Sequence, residues 1–395
     1  MKIGICGPIN PSEFKDYFPN RKQVPAINKG ASAVNTYVRE LLRQGHEVVV
    51  FTSAVPSNEN KDIILNSEKL EIHIIHSTPG LFLTHALSRF YMVRRLRMYM
   101  RPYIKKIDVL HAQWTYDFAL ASKAYENVLP VFCTVRDWAP YITSLQKGMK
   151  YWQWRAYTIM SNSVLRANGI HLIANSEYTY DSIKKAYPSK DIAIIYNPID
   201  KNLILEKRLK QPESIEFVSI ASNLFEYRKN IYKLLEAFHV FHSRHPESVL
   251  NIVGNYSGHE KELEKLSSLS LLDGVRLRGL MGHQQLMEEI DNCTCLVHPA
   301  LEETFGNILL EGMARCVLVI GGNKSGAVPQ VLGNGEYGIL CNVNDAESIV
   351  NAMEKSCDIN CVEEIVHKAS LNLRKKYSSD SIVNQHINLY NKYLK

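Results

Sequence analysis

The sequence predicts an α/β protein made of two doubly wound, Rossmann-like domains, and three observations predict it. Short apolar runs of strand character alternate with helical patterns along nearly the whole chain. Several of those runs end in glycine, where a strand turns into a loop. Residues 202–212 form a charged stretch without a core pattern, which suits a linker between two such series. At 395 residues the chain exceeds what one core usually organises, so two cores are expected.

In the first series, KIGIC at residues 2–6 reads as a strand followed by Gly7-Pro8. After a polar loop, Gly30 and Ala31 open a helix carrying Val34, Tyr37, Val38, Leu41 and Leu42, which ends at Gly45. Residues 46–52 form the next strand and complete a βαβ unit, and another strand is expected at residues 71–75. Residues 72–107 contain no carboxylate and seven Lys and Arg. Within residues 84–107, Met92, Leu96, Tyr99, Tyr103 and Ile107 recur at helical spacing, Arg94, Arg97, Arg101 and Lys105 fall on another face, and Pro102 kinks or restarts the helix. Two readings follow: a helix lying on an anionic membrane surface with its apolar stripe in the interface, or a basic, solvated face on a helix packed against its own domain. Further strands are expected at 108–114, 131–135, 171–176 and 191–200, and Tyr151, Trp152, Trp154 and Tyr157 read as core packing. Residues 138–176 again lack Asp and Glu.

The second series begins with the strand at residues 215–220. Arg228-Lys229-Asn230 precedes a helix over 231–241, placing two cations before a helix N-terminus, a combination that suits an anion. Strands at 249–254 and 275–279 end in glycine and flank a polar helix at 260–269. A helix at 285–290 and a strand at 293–298 lead to the most informative stretch, LVHPALEETFGNILLE at residues 296–311. There an apolar strand stops at Pro299, an acidic loop follows, and a helix carries Ile308, Leu309, Leu310, Met313 and Ala314. Thr304, Phe305, Gly306 and Asn307 supply an N-cap candidate and a glycine that lets a ligand approach the backbone. Glu303 in the loop and Glu311 inside the helix flank the positive end of the helix dipole. Beyond lie a strand at 317–320, the glycine-rich turn 321–326, an edge element at 338–340 and helical patterns over 346–356 and 362–395.

Glu303 and Glu311, seven residues apart with Phe305-Gly306 between them, resemble the signature of the family-four retaining glycosyltransferases of the GT-B fold. In that fold two Rossmann-like domains face each other across a cleft. The resemblance implies an acceptor-binding domain at 1–200, a nucleotide-sugar-binding domain at 201–377, and a C-terminal helix, about 378–395, that packs back on the first. It implies that Glu303 holds the transferred sugar and Glu311 the nucleotide ribose, and that Arg228-Lys229 grips the diphosphate. Phe305, Gly306 and Asn307 complete the expected donor site. Gly30-Ala31 stands where the family more commonly has Gly-Gly, in a loop facing the donor phosphates and the acceptor. The stretch 108–114 resembles the strand that ends in a histidine near the sugar, which makes His111 a catalytic candidate with Glu303 and Lys229. The chain departs from the family at Arg136-Asp137, where His-Asp is common, at Asn223 and at Gln330.

The implied activity is metal-independent transfer of a hexosyl group, with retention, from a nucleotide-diphosphate sugar to a polysaccharide or lipid-linked glycan. No cofactor is expected besides that substrate, no Asp-x-Asp motif offers a metal site, and nucleic acid is not an expected partner. A sugar-nucleotide epimerase or hydrolase, and a non-catalytic sugar-nucleotide-binding membrane partner, are rival readings on the same architecture. Residues 1–196 hold 25 Lys and Arg against 15 Asp and Glu, whereas residues 197–395 hold 21 against 25, so the basic character belongs to the first half. The eight cysteines lack zinc-site spacing and sit mostly in apolar runs, as buried reduced thiols do. With no signal peptide or spanning helix legible, a cytoplasmic protein, peripheral on the inner face of the membrane in the lipid-binding reading, is expected.

Overall fold

The structure, a computed structural model, describes residues 1–27, 31–54, 61–76, 85–208 and 214–394. The chain divides into two compact units, Met1–Pro198 with Ser379–Lys395, and Ile199–Ser378.

The first unit is built on β1 (Lys2–Cys6), α1 (Ser32–Arg43), β2 (Glu47–Ala54), β3 (Ile63–Asn66), β4 (Leu70–His76), α2 (His85–Met100), β5 (Val109–Gln113), α3 (Asp117–Ser122), β6 (Val131–Val135), α4 (Ala139–Ser144), α5 (Gly148–Leu165), β7 (Ile170–Ala174), α6 (Glu177–Ala186) and β8 (Ile192–Ile194). Its eight strands run in the order β3-β4-β2-β1-β5-β6-β7-β8. All neighbours are parallel except β3, which pairs antiparallel with β4. Successive side chains leave opposite faces of a strand, so Val48 and Val50 join one core layer while Val49 and Phe51 join the other. α1 covers the first layer with Val34, Tyr37, Val38 and Leu41. It stops where Gly45, at φ +84°, lets the His46 and Gly45 N–H groups bond back to Leu41 and Leu42. The C-terminal helix, Ser379–Asn391, adds Ile382, Val383 and Tyr390 to the same layer.

α2 settles one of the open readings. Met92, Leu96, Met100, Ile104 and Ile107 are buried in the second core layer, so the apolar stripe of residues 84–107 faces the sheet and not a lipid. Burial of those side chains is worth about 1.5–3 kcal/mol each. Several cations are also committed inside the unit: Arg89 to Asp117 at 2.7 Å, Arg95 to Asp62, and Arg97 to the Leu120 carbonyl. The aromatic cluster on α5 divides. Tyr157 is buried, Trp154 is half-buried and Trp152 is exposed.

The second unit contains β9 (Glu216–Asn223), α7 (Ile231–Arg244), β10 (Val249–Asn255), α8 (Glu260–Ser268), β11 (Val275–Gly279), α9 (His283–Asn292), β12 (Cys295–His298), α10 (Asn307–Ala314), β13 (Leu318–Gly322), α11 (Val328–Val331), β14 (Ile339–Cys341), α12 (Ala346–Lys355) and α13 (Ile359–Lys376). Its six strands are parallel in the order β11-β10-β9-β12-β13-β14. Phe217, Leu250, Val297 and Ile320 meet Leu234, Phe238 and Phe241 of α7 and Ile349 and Met353 of α12 in one core layer. The helical pattern read over 362–395 is two helices. The chain leaves α13 at Tyr377, whose carbonyl accepts the Ile199 N–H at 2.8 Å, and the helix after it belongs to the first unit.

Tyr390 of the C-terminal helix is tied into the first unit by buried hydrogen bonds: its hydroxyl lies 2.6 Å from His111 Nδ1 and 2.5 Å from the Tyr37 hydroxyl. Tyr390→Phe leaves both partners buried without that bond, so a loss of about 1–3 kcal/mol is expected in denaturant unfolding, at unchanged slope.

Candidate active site

In an open parallel sheet, ligands bind at the carboxyl ends of the strands where the winding direction reverses. In the second unit that reversal lies between β9 and β12. The segments leaving these two strands are the basic turn at 227–230 and the acidic loop at 299–306.

They are fastened to each other. Asn230 takes a left-handed conformation, φ +54°, and its side-chain amide donates to the Pro299 carbonyl at 3.1 Å and to the Val343 carbonyl at 2.7 Å. The Leu301 N–H donates to the Arg228 carbonyl at 2.8 Å. Backbone fixed in this way sets the side chains face to face. Lys229 Nζ donates to Glu303 Oε1 at 2.6 Å, and Arg228 Nη1 donates to Glu302 Oε2 at 3.2 Å while its Nε reaches Glu226 at 2.9 Å. His298, the buried last residue of β12, brings Nε2 to 3.2 Å from the same Glu303 oxygen.

The electrostatics follow from that geometry. Burial alone would raise the Glu303 pKa, but Lys229 and His298 outweigh it and hold the carboxyl well below the ordinary range. Burial likewise works against the Arg228 charge, yet Glu226, Glu303 and Glu302 keep its pKa above the usual value. Glu303 is therefore an anion that presents acceptor oxygens, and Arg228 is a permanent cation beside it.

The loop then reaches α10. Gly306, not Thr304, is its N-cap; it sits at φ +85°, with no side-chain cap, and a Cβ there would come within 2.9 Å of Leu309. Phe305 is buried against the Tyr377 ring, 5.9 Å between centroids, so this side chain anchors the loop and the expectation that it contacts a donor is corrected. Asn307 is the first residue of α10, whose start carries the positive end of the helix dipole. Glu311 lies on the same helix, nearly buried, with His283 Nε2 of α9 at 3.4 Å. The glycine-rich turn after β13 braces the loop from the other side. Gly326, at φ +62°, passes so close to Glu303 that a Cβ would fall 2.3 Å from its carbonyl oxygen, which accepts the Ala327 N–H at 2.9 Å.

Of the expected site, the second unit brings together Arg228, Lys229 and Glu303, with Gly306 closing the same loop and Asn307 opening α10. Sequence reasoning missed Glu226, Glu302, His298 and His283. A titratable side chain at the carboxyl end of a parallel strand was a readable signal for His298; the other three are ordinary surface residues until the fold pairs them.

The first unit answers differently. Gly30 lies outside the described residues, and Ala31 is the buried N-cap of α1. His111 is 0% exposed inside β5, with Nε2 2.7 Å from the Thr134 hydroxyl and Nδ1 on Tyr390. Burial, then His386 and Arg136, push its pKa well below the ordinary value. With both ring nitrogens committed in the core, the direct sugar contact expected of His111 is corrected to a packing role. The carboxyl ends at this sheet's own reversal, between β1 and β5, hold Gly7, Gln113 and Trp114. Trp114 has a strained φ of +64°, donates to Asp137 at 2.8 Å and lies 5.6 Å beneath the guanidinium of Arg136. Arg136 donates to Gln113 at 2.8 Å and also bonds Asn197.

Comparison with known proteins agrees with this architecture. Residues 31–203 match the family model described as Glycosyltransferase Family 4, and residues 201–375 match the one described as Glycosyl transferases group 1. The chain is 23% identical over 377 residues to the N-acetyl-alpha-D-glucosaminyl L-malate synthase of Bacillus anthracis, covering 91% of this chain and 93% of that protein. It is 26% identical over 168 residues to the capsular polysaccharide biosynthesis glycosyltransferase CapM of Staphylococcus aureus, 42% of this chain and 44% of that protein. Among solved structures, the sucrose-phosphate synthase of Thermosynechococcus elongatus superposes with a TM-score of 0.78 at 15% identity, covering 99% of this chain and 98% of the other. HepE of Anabaena, in complex with UDP-glucose, gives 0.69 at 15% identity over 99% and 100%. The fold is GT-B.

Two outcomes test the site geometry. A carboxyl whose folded pKa is depressed contributes stability above its unfolded value, 4.5, and that stability is lost as pH falls below it. Lys229→Met should cost roughly 2–3 kcal/mol at pH 7 and flatten the loss of stability that the wild type shows in acid below pH 4.5, read from denaturant midpoints across pH. Gly326→Ala should cost about 1–3 kcal/mol by the same measurement, since the methyl group meets backbone and not a movable side chain.

Proposed function

Given that the chain belongs to glycosyltransferase family 4, we propose that it moves a hexosyl group with retention from a nucleotide-diphosphate sugar to a hydroxyl of a polysaccharide or lipid-linked glycan. The observation that carries this reading is the fastening of the Arg228-Lys229 turn to the Glu302-Glu303 loop at the sheet's reversal, just ahead of a helix N-terminus.

Arg228, Lys229 and the first N–H groups of α10 take the charge of the departing diphosphate, a task for which two fixed cations and a helix dipole need no metal. The bond from the anomeric carbon to the diphosphate oxygen breaks, and the acceptor oxygen attacks from the face the diphosphate leaves. The acceptor proton departs with the diphosphate. Glu303 accepts hydrogen bonds from the sugar hydroxyls, and its negative charge favours the positive charge that builds on the ring. Glu311 holds the ribose. The first domain, 1–200, receives the acceptor and the second, 201–377, the donor.

HepE has been solved with UDP and with UDP-glucose, which makes uridine diphosphate sugars the first donors to test. CapM, a capsular polysaccharide enzyme, favours a glycan acceptor. The proposal includes a cytoplasmic enzyme working at the inner face of the membrane; among the described residues no helix is long and apolar enough to cross it.

Purified protein incubated with a panel of UDP-sugars and glycan acceptors should release UDP, with the product anomer, read by NMR, matching that of the donor. Glu303→Ala and Lys229→Ala should each lower transfer more than about tenfold with circular dichroism unchanged, and addition of EDTA should leave the rate intact. Full turnover in both variants refutes the site, and an inverted product refutes retention.

A further inference from the structure

We propose that the outward face of α5 docks the first unit onto an anionic lipid bilayer. α5 turns Tyr157, Met160, Val164 and Leu165 inward. Its opposite side carries Met149, Trp152 and Ile159, which are 90%, 70% and 60% exposed. Arg155 falls between Trp152 and Ile159 on the same line, Arg166 caps the helix about two turns beyond Ile159, and Lys147 and Lys150 stand exposed at its start.

Packing does not explain three large apolar side chains in water on one face, and a solvated helix face normally mixes charges of both signs. Here the sign is single: residues 138–176 hold four Lys and Arg and no carboxylate. Apolar side chains that insert, flanked by long basic ones whose heads stay at the surface, are what a helix lying among lipid headgroups needs. Headgroup phosphates complement Lys147, Lys150, Arg155 and Arg166. α2 packs alongside, the Arg89 guanidinium 5.4 Å over the Tyr157 ring. It exposes Phe90, Arg94 and Met98, and Arg101 follows exposed just past its end, again apolar and basic residues without an acid.

The composition argues against other occupants. Protein interface cores are depleted in lysine. A second copy meeting this face across a two-fold axis would set its own cations against themselves, with no carboxylate from the segment to separate them. This surface is distinct from the stripe of residues 84–107, which is buried. It deepens the membrane part of the function proposed above, and lipid binding can be read without any transfer reaction.

The test mixes the full chain with vesicles of phosphatidylcholine alone or of phosphatidylcholine with phosphatidylglycerol and reads sedimentation at low salt. Binding to the anionic vesicles, weak or absent on the neutral ones and reduced by added salt, is the expected result. Met149→Ser with Trp152→Ser should weaken it at least about tenfold, and so should Lys147→Glu with Lys150→Glu. The blue shift of tryptophan emission on binding should shrink in Trp152→Phe. Unchanged binding by either double variant overturns the surface, as does equal binding to both kinds of vesicle. A dimer in light scattering that Trp152→Ser dissolves, without vesicle binding, assigns the face to a second copy instead. If transfer persists without vesicle binding, only this inference fails; vesicle binding without transfer sinks only the catalytic reading.

Discussion

The contact on which the second unit's site depends is the ion pair between Lys229 and Glu303. A carboxylate so nearly enclosed cannot stay ionised without a partner, because desolvation costs several kcal/mol per charge. The ammonium and the His298 ring supply the compensation, and each comes from a different strand end: Lys229 from the turn after β9, His298 from the close of β12. The pair therefore records which strands are neighbours. Had β9 and β12 been separated by another strand, the two groups would be some 10 Å apart at ~4.8 Å per strand, and each would need water.

The rest of the site keeps that pair in register. Asn230 and the Leu301 N–H bind the two segments through backbone groups, which cannot rotate away as long side chains do. Gly326 presses the third segment, from β13, against the Glu303 carbonyl, a contact only a residue without Cβ allows. Charged groups held by backbone in this fashion are arranged before any ligand arrives, and such preorganisation is the main source of electrostatic stabilisation in enzyme sites generally.

The first unit shows the same economy applied to packing. His111, Tyr37, Tyr390 and Thr134 form a buried polar cluster in which the hydroxyls and ring nitrogens serve one another, and His386, bonded through Nδ1 to the Ile382 carbonyl, packs its ring against Tyr37 and His111. Burial keeps both histidines neutral, with His386 lowered to about 4. Such a cluster ties the last helix of the chain to the first unit. The polar groups at the sheet's own reversal are others: Gln113, Trp114 and Arg136, with a strained backbone at Trp114.

The periodic part of the structure is local and readable along the chain. Alternating apolar runs and amphipathic helices yielded the strand series of both units nearly to the residue for β1, and the glycine at position 45 marked a helix end, since these depend only on local backbone preference and on which face is apolar. Arg228, Lys229, Glu303 and Glu311 were legible because they flank strand-to-helix junctions, whose exposed N–H groups constrain what can sit there. The short antiparallel β3 and the helices α3 and α4 lacked enough period to be seen. The remainder rests on contacts between distant segments: that His111 and Phe305 are inside, that the stripe on α2 faces a sheet while Trp152 on α5 faces water, that Glu302 meets Arg228, and that His298 joins Lys229 at Glu303. Burial and ion pairing are relations between segments far apart in the chain, and no local pattern encodes which of two amphipathic faces finds a partner.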